Sequence, residues 1–502
     1  MSTAYAFGTL ARSNRRTQTM PPPPAILDRL DVPLCVDLDG TLIKTDLLWE
    51  SLVLLLKRNP FYLLVIPFWW ARGRAFLKRQ LATRVHLDPS ALPYNGPFLA
   101  FLRAARKNGR RLVLVTASDA FMVKPVAEHV GLFDEVLASD GKLNLRGQAK
   151  CKVLTARFGE HGFDYAGNSN VDLPVWEGAA EAVVVDGTPM LGHRAAQRAR
   201  VGATFPRQES RVHAFARAIR PHHWVKNLMV FVPLLTSRQF TNLTLLGSAG
   251  RAFVAFCLCA SAVYVFNDLL DLDSDRQHPS KKLRPFASGE LPLAYGLFAA
   301  PLLLVAAGFV AVTLSWDFIG TLAFYVLLTT AYSWYLRQIA LLDIFTLAGL
   351  YTLRLGAGQV ATGVKLSFWL LVFSMFIFLS LALVKRFVEL TELSQQKEPG
   401  SRGRGYLTGD LELVASLGSS CGFLAVLVLA LYVNSQEVLL LYHRPALLLI
   451  ACPILLFWIS RVWLIAHRGQ MHDDPIVFAL RDWVSHLLGI LLLIVLWLAS
   501  RG

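Results

Sequence analysis

The spacing of apolar positions changes character near residue 225. Before that point, short apolar runs alternate with polar and glycine-containing stretches. LCV at 34–36 and LVLVTAS at 112–118 are β-like runs that end in polar turn residues. Beyond it, long apolar runs are separated by short charged loops. The runs lie near 225–237, 250–268, 292–313, 317–336, 340–358, 367–385, 412–433, 445–466 and 478–499. Most approach the roughly 20 residues that a helix needs to cross a bilayer. The pattern predicts a multidomain chain, an N-terminal α/β domain followed by an all-α membrane domain of about nine transmembrane helices. Residues 1–25 read as a disordered tail, 26–200 as the α/β domain, 201–223 as a basic linker and 224–502 as the membrane domain.

Composition agrees with a membrane chain. The 502 residues are 54% hydrophobic and 17% charged, against roughly 25% charged in an average soluble domain. The net charge of +15 would suit nucleic acid, but no nucleic-acid motif accompanies it, so that partner is excluded. The cations instead flank apolar runs, where they meet anionic lipid headgroups and set topology. With the N-terminal domain inside, the inside loops and helix ends hold Arg276, Lys281, Lys282, Arg284, Arg337, Lys385, Arg386, Lys397, Arg402, Arg404, Arg461, Arg468 and Arg481. The outside loops hold Arg238, Arg251, Lys365 and Arg444. This bias predicts a multi-pass protein of the cell inner membrane with its N-terminal domain in the cytoplasm. Arg12, Arg15 and Arg16 have Pro21 to Pro24 behind them rather than an apolar stretch, which is no signal peptide. The six cysteines form no CxxC pair, so neither a disulfide framework nor a zinc site is indicated.

LCVDLDGTL at 34–42 brings Asp37 and Asp39 to the end of an apolar strand. One carboxylate there can attack phosphorus and the other can act as general acid and base. The motif resembles the haloacid dehalogenase-like hydrolases, and the resemblance covers about 34–190. It implies a Rossmannoid fold, a phosphatase activity and Mg²⁺. Thr116 or Ser118 would hold the phosphoryl oxygens. Lys150 in GQAKCKVL, or its rival Lys152, would neutralise the intermediate. YAGNSNVDLPVW at 165–176 is similar to the family's acidic metal loop, with Asn168 where an acid is common and Asp172 as the remaining acid beside Asp37. The insert at about 46–100 has the length of a helical cap. Its stretch 61–70, too short to span and flanked by cations, suits either an interfacial helix or the core of the cap.

VFNDLLDLDSDRQHPSKKLRP at 265–285 places Asn267, Asp268, Asp271 and Asp275 after an apolar run. Spacings of three and four put the three acids on one face of a continuous helix. A membrane-buried acid costs about 2.5–3.5 kcal/mol on insertion scales, so such acids are functional by default. Mg²⁺ bridging a diphosphate would compensate them, with Lys281, Lys282 and Arg284 pairing phosphate oxygens.

This motif resembles the UbiA prenyltransferases, over about 213–500. The family's usual second DxxxD motif is missing: Asp343 is followed four residues on by Leu347. RPHHWVKN at 220–227, YSWYLRQIALLDI at 332–344 and DDPIVFALRD at 473–482 closely resemble the decaprenyl-phosphate phosphoribosyltransferase branch. That resemblance implies transfer of 5-phosphoribose from 5-phosphoribosyl 1-diphosphate to a polyprenyl phosphate. Lys226, Asn227, Tyr332, Asp343, Arg354, Arg386 and Arg404 would contact substrate, with Lys385 a further cation. Lys226 and Arg386 equally suit snorkelling anchors at helix ends. The product would carry a 5-phosphate that the hydrolase domain could remove, giving a pentose donor for a cell-envelope glycan. Two other readings stay open: a prenyltransferase moving a prenyl group from prenyl diphosphate to an aromatic acceptor, and a membrane scaffold that localises a phosphatase.

Overall fold

The computed structural model describes residues 26, 29–140, 144–237, 239–395, 400, 404–436, 438, 442–471 and 474–500. The tail expected over 1–25, and Arg238, Lys397 and Arg402 of the charge pattern, lie outside them. The chain divides into two compact units. One takes the described residues through Ala218 together with Asp268–Leu297; the other takes Ile219–Asn267 and the residues from Phe298 onward.

The first unit is built on a six-stranded parallel sheet: β1 (Leu34–Val36), β2 (Leu112–Asp119), β3 (Glu135–Ser139), β4 (Asp164–Gly167), β5 (Glu181–Gly187) and β6 (Arg200–Pro206). Their order is β3-β2-β1-β4-β5-β6. Alternate strand residues feed two separate cores. Val36, Leu112, Leu114, Ala166 and Val183 pack on one face, and Cys35, Val113, Val115, Tyr165 and Val184 on the other. A parallel sheet covered on both faces explains why these strands read as unbroken apolar runs. Strand order reverses at β1, which pairs with both β2 and β4. The carboxyl edge at such a switch point is where open α/β sheets hold ligands, and Asp37 is the residue that follows β1.

All but the first residue of β6, and the helix Arg211–Ala218, fall inside the stretch expected as a linker, 201–223. β6 is an edge strand with alternating exposure, in which Ala203 is buried and Thr204 exposed. It therefore lacks the continuous apolar run that marks the inner strands. The base of the sheet is tied by Asp164, whose carboxylate takes the buried Arg110 guanidinium, Arg29 Nη1 at 3.0 Å and Glu181 N at 2.8 Å. Arg110 also donates to the carbonyls of Ile26 (2.7 Å) and Val32 (3.1 Å).

The insert forms three helices, Leu47–Arg58, Tyr62–Ala71 and Arg74–Ala82. Asp46 caps the first, accepting from Leu48 N at 2.8 Å. Gly73, at φ +105°, turns the chain between the second and third in a conformation that favours glycine. The far segment of this unit, Asp268–Leu297, is fixed to the insert by a two-pronged ion pair. Arg276 donates to Glu50 Oε2 at 3.1 Å and Oε1 at 2.5 Å, with both side chains almost fully buried.

The second unit is helical. Six helices, counting the part of each that belongs to either unit, are long and apolar enough to cross a membrane among the described residues: Leu243–Leu270, Leu293–Val312, Phe368–Gln395, Thr408–Val433, Pro445–His467 and Trp483–Ser500. The expectation of nine is corrected. Helices do occupy Trp316–Trp334 and Leu342–Thr362, but Asp317, Thr329, Tyr332 and Ser333 in one and Asp343, Thr346, Arg354 and Gln359 in the other dilute their apolar character. The run at 225–237 is not one helix. It is a 3₁₀ stretch, Pro221–Phe231, followed by the five-residue helix Val232–Thr236.

Removing one partner of a buried ion pair leaves the other charge uncompensated, at a cost of about 3–5 kcal/mol. Arg110→Met should therefore lower the thermal-unfolding midpoint of the full chain in detergent sharply. Adding Asp164→Asn to it should recover part of the loss.

Candidate functional sites

In the first unit, the carboxyl ends of β1 and β4 meet in a cavity of about 440 Å³. Asp37 and Asp39 leave β1 on a turn that requires Gly40. Its φ is +75°, and a Cβ there would overlap the Asn168 side-chain amide. Lys150, carried inward by the helix Gln148–Phe158, donates to Asp37 Oδ1 at 2.9 Å and to Tyr165 Oη at 2.7 Å. Tyr165 donates to Asp172 Oδ1 at 3.0 Å. The other oxygen of Asp172 accepts from Asn168 N (3.1 Å), Ser169 N (3.0 Å) and Ser169 Oγ (2.9 Å). Asp172 thus closes the loop that follows β4. On the other side, Asp39 accepts from Leu47 N at 2.9 Å and from Ser118 Oγ at 2.6 Å.

Of the two rival lysines, Lys150 is the one in the site. Thr116 and Ser118 are buried and do not line the cavity: Ser118 N donates to Thr116 Oγ1 at 3.0 Å, and Ala117 between them forms the wall. The cations that do line it include Arg74 and Lys78 from the insert, Arg146 and Arg211. These were not foreseen. For Arg74 and Lys78 the signal was the basic run RGRAFLKR at 72–79 in the insert. Gly289, Glu290, Pro292 and Leu293 complete the wall from the far segment of the same unit.

Burial pushes the Asp37 carboxyl up to about 7, against the pull of Lys150 and with the help of Asp172. Asp39 is raised to about 6, by burial first and then by Asp46, against Ser118 and the Leu47 amide. The carboxylates Asp37, Asp39, Asp46 and Asp172 crowd together here, with Lys150 acting on Asp37 and Lys78 on Asp39 and Asp46. Asp37 and the Asp39 carbonyl are the hard oxygen donors that a divalent cation prefers. Among the described residues, no group of three or more His, Cys, Asp or Glu is arranged as a metal site.

The far segment carries the other acids. The helix Leu243–Leu270 stops before Asp271, whose φ of −90° and ψ of 11° begin a separate short helix, Leu272–Gln277. The three acids therefore do not share one continuous helix face, a correction to the spacing argument. Asp268 and Asp275 instead converge on a single guanidinium. Arg284 Nη1 lies 3.1 Å from Asp268 Oδ1 and 2.6 Å from Asp275 Oδ2. Two carboxylates gathered on one point of positive charge are the donor chemistry that Mg²⁺ uses. Burial raises the Asp275 carboxyl, against Arg284. Lys281 and Lys282 sit exposed on the turn that follows.

The second unit holds its own cavity, of about 210 Å³. Lys226, Asn267, Tyr332, Arg354, Lys385 and Arg404 line it, with Tyr264, Tyr325, Tyr351 and Asp474. Asn227 stands behind the wall and holds Arg354, accepting from its Nε at 2.8 Å; Tyr325 Oη accepts from Nη2 at 3.0 Å. Arg354 is buried and, among the described residues, forms no ion pair with a carboxylate. Asp474 accepts from Lys226 at 2.7 Å and lies 3.3 Å from Lys385. Burial pushes its carboxyl up, but Lys385 and Lys226 pull it well below the ordinary carboxylate range. It was not singled out from the sequence, although Asp followed by Pro475 is a helix-start signal, and Asp474 does cap the helix Pro475–Arg481. Asp343 and Arg386 are outside the lining. They pair with each other in full burial, and Tyr406 Oη donates to Asp343 at 2.7 Å.

Comparison with known proteins follows the same division. The haloacid dehalogenase-like hydrolase family matches residues 34–177, and the UbiA prenyltransferase family matches 229–499. A Sinorhizobium fredii protein, "Uncharacterized protein y4nM", is 39% identical over 464 residues, covering 92% of this chain and 90% of that protein. The decaprenyl-phosphate phosphoribosyltransferase of Mycolicibacterium smegmatis is 36% identical over 185 residues, covering 36% of this chain and 58% of that protein. The solved structure of a UbiA homolog from Archaeoglobus fulgidus bound to DMAPP and Mg²⁺ aligns at 14% identity with a TM-score of 0.43, over 56% of this chain and 98% of that one.

The raised carboxyls give a pH dependence with a definite sign. Asp37 and Asp39 bind protons in the folded state up to about pH 7 and 6, whereas unfolded carboxyls release them near about 4. The folded state holds more protons in between, so their contribution to stability falls as pH rises through that window. Mg²⁺ should raise the thermal midpoint more at about pH 7.5 than at about pH 5, and Asp37→Asn should shrink the difference.

Proposed function

The chain belongs to the UbiA prenyltransferase family, with a haloacid dehalogenase-like hydrolase domain ahead of its transferase domain, and from that premise we propose that it moves 5-phosphoribose from 5-phosphoribosyl 1-diphosphate to a polyprenyl phosphate and then removes the 5-phosphate. The observation that carries this reading is the surplus of cations in the second unit's cavity. Lys226, Lys385, Arg354 and Arg404 face it, against Asp474. A prenyl diphosphate and a neutral aromatic acceptor present one anionic group. A polyprenyl phosphate and a phosphoribosyl diphosphate present several, and they need such a lining. Similarity to the Mycolicibacterium phosphoribosyltransferase supports the same choice.

In this reading the polyprenyl phosphate rests on Arg354, whose guanidinium is oriented by Asn227 and Tyr325 and, among the described residues, pairs with no carboxylate. One phosphate oxygen attacks C1 of the ribose. The C1–O bond to the diphosphate breaks, and the electron pair leaves with pyrophosphate. Asp268, Asp271 and Asp275 would hold Mg²⁺ at the diphosphate, and the bound ion would neutralise the leaving group. Lys281, Lys282 and Arg284 stand within the same segment to pair with its oxygens.

The second step belongs to Asp37 and Asp39. An Asp37 oxygen attacks the 5-phosphoryl phosphorus, and the bond from phosphorus to the ribose O5 breaks. Asp39, held near the ribose side by Ser118 and the Leu47 amide, gives its proton to O5. Asp39 then takes a proton from water, which attacks the aspartyl-phosphate, releases inorganic phosphate and restores Asp37. Lys150 stabilises the Asp37 carboxylate before attack and would neutralise the phosphoryl charge of the intermediate. The product, polyprenyl-phosphoryl ribose, is a pentose donor suited to a cell-envelope glycan. The bias of Lys and Arg toward one set of loops supports a cytoplasmic side of the inner membrane for these reactions.

The test uses purified full-length protein, Mg²⁺, polyprenyl phosphate and ribose-labelled 5-phosphoribosyl 1-diphosphate. Label should become lipid-extractable, and Asp268→Ala should reduce this at least about a hundredfold, the scale of a lost metal ligand or charge stabiliser. Asp37→Asn should leave transfer intact and accumulate the 5-phosphorylated lipid. Transfer from a prenyl diphosphate to an aromatic acceptor, with no label in lipid, would sink the reading.

A further inference from the structure

The helix Tyr62–Ala71 (YLLVIPFWWA) is apolar on every side, yet most of it faces outward. Leu63, Leu64 and Phe68 are 64%, 70% and 72% exposed, and Phe61 at its start is 75% exposed. Only Trp69 of this helix is buried; it anchors the helix to the insert, under Arg84, with Tyr62 5.7 Å away. A contiguous apolar surface of this kind is what proteins keep for a partner.

Charge identifies the partner. Residues 57–87 contain Lys57, Arg58, Arg72, Arg74, Lys78, Arg79 and Arg84 and no Asp or Glu. A second copy of this helix would bring like charge against like. An anionic lipid surface brings the opposite charge and an apolar layer beneath it, which together match cations flanking an apolar helix. At 1.5 Å per residue, ten residues reach about 15 Å, half of a bilayer's hydrocarbon core, so this helix can enter but not cross. The bilayer is also at hand within the same unit. The end of the spanning helix Leu243–Leu270 and the start of Leu293–Val312 belong to it. Leu293, the first residue of the latter, lines the same cavity as Trp70 of the exposed helix.

We propose that the helix Tyr62–Ala71 is an interfacial anchor, seated in the headgroup layer of an anionic bilayer, and that it presents the cavity of Asp37 to phosphomonoesters carried on lipids. The anchor stands on exposure and charge alone; the presentation of lipid phosphate rests on the phosphatase reading above.

Full-length protein in vesicles of phosphatidylcholine and phosphatidylglycerol separates the two. Benzoylphenylalanine replaces Phe68 or, as a control, Met190, which is equally exposed on the helix Pro189–Ala196 (66%). Irradiation should give at least about fivefold more lipid adduct at position 68 than at position 190. Equal adducts, or adducts from position 68 to protein, overturn the anchor. The double variant Leu64→Glu/Phe68→Glu should lose about tenfold in hydrolysis of vesicle-borne phosphatidic acid and stay within about twofold on soluble p-nitrophenyl phosphate. An equal fall on both substrates overturns the presentation of lipid phosphate. If the unaltered protein hydrolyses neither, the phosphatase reading fails, and the cross-linking alone decides the anchor.

Discussion

Charge taken out of water must be answered by charge or by a full set of hydrogen bonds, and both units are organised around that demand. In the first, Lys150 links Asp37 to Tyr165, and Tyr165 links it onward to Asp172. The strand end, the helix Gln148–Phe158 and the loop after β4 are held to one another by this single chain of bonds. In the second, the fully buried Arg386 and Asp343 answer each other, with Tyr406 donating to the carboxylate. Asp474 serves two lysines at once.

Arg354 is the case in which the answer is partial. Its neighbours are an amide oxygen, a phenol oxygen and a main-chain carbonyl. These fix its direction without cancelling its charge. The rings of Tyr325 and Tyr351 flank the guanidinium at 5.0 and 5.5 Å, adding a weak cation–π attraction that also leaves the net charge in place. A guanidinium kept oriented and, among the described residues, unpaired with a carboxylate has the chemistry that the proposed reading asks of an anion receptor. In the Asp343–Arg386 pair the charges answer each other directly, although Arg386 Nε has no hydrogen-bond partner among the described residues.

That contrast marks what the sequence could convey. Asp37 and Asp39 were legible because an apolar strand ends in DxDGT, whereas Lys150 came only from the family resemblance, which left Lys152 as its rival until the fold brought Lys150 to Asp37. The acids at 268, 271 and 275 were legible as chemistry, since carboxylates beside a membrane span demand cations, but not as geometry. A helix break at Asp271 replaces a shared face with a clasp around Arg284, and nothing local in LLDLD announces it. Thr116 and Ser118 belong to the right strand end, but Ser118 is bound to Asp39, and Lys78 and Arg74 from the insert supply cations to the cavity instead. Pairings between distant segments, such as Lys226 with Asp474, depend on tertiary packing that no spacing encodes. Membrane spans were overcounted for a related reason. The helices Trp316–Trp334 and Leu342–Thr362 have the right length, but polar residues within them, among them Thr329, Tyr332, Ser333 and Arg354 of the cavity wall, leave them less apolar than the six spans.

The fusion of the two families' domains is more than a tether. The first unit is discontinuous in sequence, and its second piece, Asp268–Leu297, contains the acids of the transferase motif. That piece supplies Gly289 to Leu293 to the wall around Asp37, and its Arg276 is held by Glu50, on the helix whose first amide, Leu47 N, binds Asp39. A tethered phosphatase would have a complete cavity of its own. Here the wall of the hydrolase site is completed by the loop between two spanning helices, and the buried Arg276–Glu50 pair sets the position of that loop relative to the catalytic turn. A scaffold that merely localises a phosphatase has no need of such a bond. Under the proposed reading such a bond has a use, because a lipid product made at the acids of Asp268–Leu297 would begin its next reaction in a cavity that the same segment helps to build.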